Sequence, residues 1–175
     1  YHRGTDTSMA RTKKGNRKSE NLLMDLELLG VMNDDYPHEA DTRLWRDIVL
    51  LNQFHDILPG SSIAEVYDVA KAEYDALAEE VKGEIAQRLT ALAGSGEAVT
   101  VFNTLGFDRD DIVRLGDVKA SALKDSDGTL YPVQQTENGA VAYIRGIPSK
   151  GYKALEVVEA QAASPFVRSD DYHLE

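Results

Sequence analysis

The sequence predicts an α+β chain in two parts, an antiparallel three-helix bundle followed by an incomplete antiparallel β domain. Over residues 8–93 the apolar residues recur at helical spacing, and from Ala98 onward they come in short alternating runs. The change of period falls on Gly94, Ser95 and Gly96, residue types that interrupt regular structure. The expected domains are therefore residues 1–93 and 98–175, with a linker at 94–97.

The first helix carries Leu22, Leu23, Leu26, Leu29 and Met32 on one face after a polar first half, and it stops in the turn-forming run Asn33, Asp34, Asp35, Tyr36, Pro37. A second helix is expected over residues 39–57, because Pro59 cannot continue the hydrogen-bond ladder and biases Leu58 away from helical angles. The third opens with Ser62 followed three residues later by Glu65, a capping box in which each side chain satisfies an orphan amide. It continues through Val66, Ala70, Leu77, Val81, Ile85, Leu89 and Leu92. Three such stripes on helices with short connections are most simply buried in an antiparallel bundle.

Beyond the linker, residues 99–102, 111–115, 141–144 and 152–158 read as strands. Turn chemistry separates them at Asp127-Gly128, at Asn138-Gly139 and between Pro148 and Gly151. The Asn138-Gly139 pair predicts a hairpin that joins a strand near residues 131–135 to one beginning at Ala140. So few strands would leave an open sheet with unpaired edges, the start of a larger β domain. The tail at His173, Leu174 and Glu175 adds no closing element.

Composition narrows the function. There is no cysteine, which removes disulfides, thiolate metal clusters and cysteine nucleophiles. No run of 18 apolar residues is present, so no membrane-spanning helix is expected. The first residue is Tyr1 and not Met, from which the expectation is a longer natural chain. A net charge of −11 argues against general affinity for nucleic acid or anionic membrane. Residues 1–18 run against that average: six basic side chains face the single acid Asp6, a local +5 against −16 elsewhere. Such a run reads as a solvated helix face or a surface that docks on an acidic neighbour. Arg3, Asp6 and His2 could also close a local hydrogen-bonded knot.

The stretch NQFHDILPGSSI, residues 52–63, concentrates the candidate chemistry. His55 continues a stripe of Leu44, Ile48 and Leu51 at i, i+4, i+7 and i+11, which points it toward the core. Two readings remain open for it, a satisfied core histidine near a helix end and a metal ligand. The other histidines, His2, His38 and His173, are not at i±3 or i±4, so further metal ligands would have to come from outside this chain. Asp56 beside it is read either as a solvated or capping residue or as a group sharing a ligand with His55. The turn Gly60, Ser61, Ser62 fits capping better than phosphate binding and lacks the flanking glycines of a serine-hydrolase elbow.

NQFHDILPGSSI, preceded by Leu44 and Trp45, resembles the signature of family 38 glycoside hydrolases, the zinc-dependent α-mannosidases. YHRGTDTSMARTKKGNR at residues 1–17 resembles that family's lead into its helical middle domain, with Asp6 where the family usually has Tyr. VFNTLGFDRDDIV at 101–113 and IPSKGY at 147–152 are similar to passages that open its C-terminal β region. The four occur in the family's order, and the NQFHD form fits its cytosolic and bacterial branch.

The resemblance implies a retaining α-mannosidase in which zinc holds the terminal mannose of an α-mannoside glycan and an aspartate nucleophile forms a glycosyl intermediate. It implies that His55 is one zinc ligand and that Asp56 hydrogen-bonds the sugar hydroxyls. The remaining ligands, including the nucleophile, belong to an N-terminal α/β domain preceding Tyr1, so no catalytic residue is assigned here and this segment alone is expected to be inactive. It also implies that residues 98–175 begin a β-sandwich, that the enzyme is cytoplasmic, and that His55 emerges from the bundle toward the missing domain. The competing expectation is a non-catalytic helical interaction module with a β appendage, docking through the basic run.

Overall fold

The computed structural model describes residues 3–5, 7–36 and 38–160. The expected knot of His2, Arg3 and Asp6 and the C-terminal tail therefore involve positions outside the described residues. The chain is α+β and forms two compact units that divide between Gly94 and Ser95.

In the first unit, α1 spans Ala10–Met32 and α3 spans Ala64–Ala93; between them run a short α2, Glu39–Leu44, and a π-helical segment, Trp45–Leu50. Gly15 of α1 lies against Tyr74 and Gly30 against Arg88, so α1 and α3 run in the same direction. The middle segment runs opposite to both, since Asp41 meets Arg88 and Asn52 meets Glu73. Leu23, Leu26, Leu44, Val49, Leu77 and Val81 form one apolar core. The expected bundle is thus present in part, with a middle helix that is short and half π.

The π segment corrects the expected stripe. Hydrogen bonding from i to i+5 admits an extra residue per turn, so the inward positions become Leu44, Val49 and Asn52. Leu50 and Leu51 are displaced to the surface. Regular helical assignment ends at Asn52 and not at residue 57, and His55 follows in a series of turns. The capping box is also absent: α3 is preceded by Ile63 with no side-chain cap. The Ser62 amide donates instead to the Tyr67 hydroxyl at 2.8 Å.

Opposite the His55 end, Arg88 donates to Asp41 at 3.0 Å and to the Leu26 carbonyl, and both ionic side chains are buried. Asn33 ends α1 there by donating to the Leu29 carbonyl at 2.7 Å.

The second unit is a six-stranded antiparallel sheet of β1 Val99–Asn103, β2 Arg109–Gly116, β3 Ala122–Lys124, β4 Leu130–Thr136, β5 Gly139–Ile147 and β6 Gly151–Val158, in the order β1-β6-β3-β4-β5-β2. The β4–β5 hairpin turns where the sequence places it, with Thr136 paired to Gly139 at φ 104°. The sheet is larger and more curled than expected. Val101, Leu115, Leu123, Tyr131, Ile144 and Leu155, one from each strand, share a single core, which a flat sheet could not bring together.

Asn103 closes one end of the sheet. Its amide group donates to the carbonyls of Phe107, Ile147 and Pro148, and its oxygen accepts from the Leu105 amide. Two of the motif passages, residues 101–113 and 147–152, therefore meet at one buried side chain.

Candidate functional site

The 53–62 loop carries the candidate pair. His55 has 77% of its side chain exposed and Asp56 54%, with Nε2 and Oδ2 3.6 Å apart. This exposure replaces the inward orientation expected from the stripe and agrees with the emergence from the bundle that the resemblance implies. The separation is too long for a hydrogen bond, so neither side chain is satisfied by the other and both face outward. The Phe54 ring packs on His55 at a tilt of 44° with centroids 4.1 Å apart, restricting the imidazole on one face.

Three sets of contacts hold the loop. At its start, Gln53 donates to Asn16 at 3.0 Å and to Glu20 at 2.8 Å, and Asn52 donates to Glu73 at 2.7 Å. Further along, Lys13 reaches the carbonyls of Leu58 at 2.9 Å and Ser8 at 2.6 Å, while the Ser8 hydroxyl donates to Pro59 at 2.8 Å. From α3, the Tyr67 hydroxyl donates to the Asp56 carbonyl at 3.4 Å while it accepts from Ser62. Gly60 is required where these contacts close: its φ is 94°, and a Cβ there would lie 2.5 Å from the Ser8 hydroxyl. The opening motif and the NQFHD motif are thus two sides of one clamp.

The clamp also uses groups outside the NQFHD motif. Lys13 belongs to the basic run, yet it shares an α1 face with Asn16 and Glu20 at i+3 and i+7, a signal of a polar stripe turned inward. Beside that stripe, Tyr74 is buried with its hydroxyl unpaired. Burial first, then the charges of Glu20 and Glu73, push this phenol up to about 12.

As a metal site the loop is one-sided. Among the described residues no group of three or more His, Cys, Asp and Glu side chains is placed to hold an ion. A zinc site takes three or four protein ligands, so His55 fits as a contributor to a site completed elsewhere. His38 pairs with Asp41 across 3.5 Å and is not drawn to His55. No helix of the described residues is long and apolar enough to cross a membrane.

Residues 1–92 match the family described as Alpha mannosidase middle domain. Alpha-mannosidase 2C1 of Homo sapiens is 34% identical over 123 residues, 65% of this chain and 12% of the relative. Alpha-mannosidase G of Dictyostelium discoideum is 40% identical over 188 aligned positions, 89% of this chain and 17% of the relative. The chain thus spans a small part of the length of the curated relatives it matches. A solved protein in the Glycosyl Hydrolase Family 38 from Enterococcus faecalis superposes with a TM-score of 0.74 at 15% identity, covering 97% of this chain and 27% of that one. At that identity the likeness is one of fold. The resemblance carried by the four motif passages agrees with these matches, and since the family match takes in just over half of its residues, the chain belongs to the Alpha mannosidase middle domain family.

Proposed function

We propose that this chain is part of a retaining, zinc-dependent α-mannosidase that hydrolyses terminal α-mannosidic bonds, and that it supplies one zinc ligand and one sugar contact. The observation that carries the reading is the exposed, clamped His55–Asp56 pair in a chain of this family. His55 would hold the metal, which when bound supplies positive charge that fixes sugar hydroxyls. Asp56 accepts hydrogen bonds from two hydroxyls of the terminal sugar, the role suited to an ionised carboxylate with free lone pairs. Phe54 limits how the imidazole turns, and Lys13 and Tyr67 fix the backbone that presents both groups.

The nucleophile and remaining ligands lie on an α/β domain of the full-length enzyme, so this segment is inactive alone. The β unit belongs to the enzyme's C-terminal β-sandwich region, and the enzyme is cytoplasmic. A non-catalytic interaction module accounts less well for a His–Asp pair held outward by three sets of contacts.

The test is Asp56→Ala in the full-length enzyme. Two charge-assisted hydrogen bonds at roughly 1.5 kcal/mol each correspond to a loss of about a hundredfold in kcat/KM on an aryl α-mannoside. A loss below about threefold contradicts the sugar contact.

A further inference from the structure

We propose that the groove between α1 and α3 binds a phosphate monoester carrying a hydroxyl-rich body. At the N-terminal end of α1 the groove opens into a cavity of about 220 Å³. Its floor is buried Thr12, Tyr67 and Tyr74 together with Gly15, and its rim is Arg11, Lys14, Lys18 and Lys71. Arg11, Lys14 and Lys18 are at i, i+3 and i+7, which places all three on one face of α1. Among the described residues, none of these three has an ion pair, while Lys71 is held by Asp75 at 2.8 Å. Four cations around one opening are unlike the rest of a chain with net charge −11, and a dianionic phosphate is the compact group that satisfies several of them at once.

The groove is chemically two-ended. An adjoining cavity of about 530 Å³ shares Gly15, Lys18, Tyr74 and Asp75 with the first, and adds Asn21, Asp25, Glu79 and Lys82, of which Lys82 and Glu79 pair at 3.1 Å and Asp25 has no ion pair among the described residues. The Asp25 carboxylate repels a second anion there, and it and Asn21 accept hydrogen bonds from hydroxyl groups. A ligand with phosphate at one end and hydroxyls at the other matches that order. An acidic peptide would bring like charges against Asp25.

Gly15 sets the depth of the shared floor. A Cβ at this position would lie 2.7 Å from the Tyr74 ring, so a glycine lets the ring lie against the α1 backbone. A small apolar-floored cavity with a few convergent polar groups is the usual form of a small-molecule site. The proposal uses no residue of the 53–62 loop and shares with its clamp only Tyr67, which substitutions at Lys14 and Lys18 leave in place, so it is tested separately from the α-mannosidase reading.

The 175-residue protein is titrated with glucose 6-phosphate by calorimetry and by amide NMR at Gly15, with inorganic phosphate and glucose as separate arms. Saturable binding is expected for glucose 6-phosphate, about tenfold weaker binding for inorganic phosphate and none for glucose, with affinity falling as salt rises. The double variant Lys14→Gln/Lys18→Gln, on exposed positions, keeps the helical circular dichroism and loses at least about tenfold in affinity. Absence of saturable binding below about 10 mM, equal affinity for inorganic phosphate, or an affinity unchanged in the double variant overturns the proposal.

Discussion

In the helical unit the motif residues meet across α1, the 53–62 loop and α3, and their hydrogen bonds hold an exposed His55 and Asp56. In the β unit the motif residues meet at Asn103, whose amide is buried and bonded entirely to backbone of the turns around it. Both are polar knots of similar construction. One presents side chains to the outside and the other closes a sheet. A recognisable motif is therefore no sign of chemistry by itself; what distinguishes the two is whether a reactive side chain is left exposed once backbone groups are satisfied.

The largest stability effect belongs to the helical unit, away from its loop. Asp41→Ala leaves Arg88 buried without its counter-charge, a loss of about 3–5 kcal/mol, read by urea unfolding through Trp45 fluorescence. A loss under about 1 kcal/mol would mean that this end of the unit is not held by the pair. Asn103→Ala orphans the Leu105 amide and up to three carbonyls, which costs about 2–3 kcal/mol. Hydrogen exchange at Ile147 and Leu105 should quicken. Unchanged exchange there would break the parallel between the two knots.

A smaller effect separates the units by pH. Burial pushes the Asp125 carboxyl up, but hydrogen bonds from Tyr131, Thr129, Lys153 and Asp127 outweigh it and hold the group below its ordinary value. Its contribution is present above the unfolded carboxyl range, near about pH 4, and is lost as pH falls through the lower folded value. Asp125→Asn should remove that acid-side decline in the β unit's unfolding profile; a profile identical to wild type contradicts the assignment.

Much of the fold was legible because it depends on local chemistry. The end of α1 follows from Asn33, which caps it as the turn-forming run suggests, and the β4–β5 hairpin follows from Asn138-Gly139. The short β3 was missed, since three residues carry no period and this strand exists through its partners β4 and β6. The capping box failed because Tyr67, five residues on, takes the Ser62 amide. The pair at 55 and 56 was legible as a candidate, and its outward direction followed from the family resemblance but not from the helical spacing. Helical spacing pointed His55 inward; the π segment shifts the stripe and the helix stops at Asn52, so His55 sits in turns to which no helical period applies. Lys13 was hidden for the opposite reason, a half-buried role inside a run of charges that mostly face solvent.

The most direct test of the split site is the zinc content of the full-length enzyme purified as wild type and as His55→Ala, measured by elemental analysis after exhaustive desalting. With His55 as a ligand, wild type retains one zinc per chain and the variant loses it while keeping its circular dichroism. A His55→Ala protein that is folded and retains its full zinc would contradict the assignment of this loop to the metal.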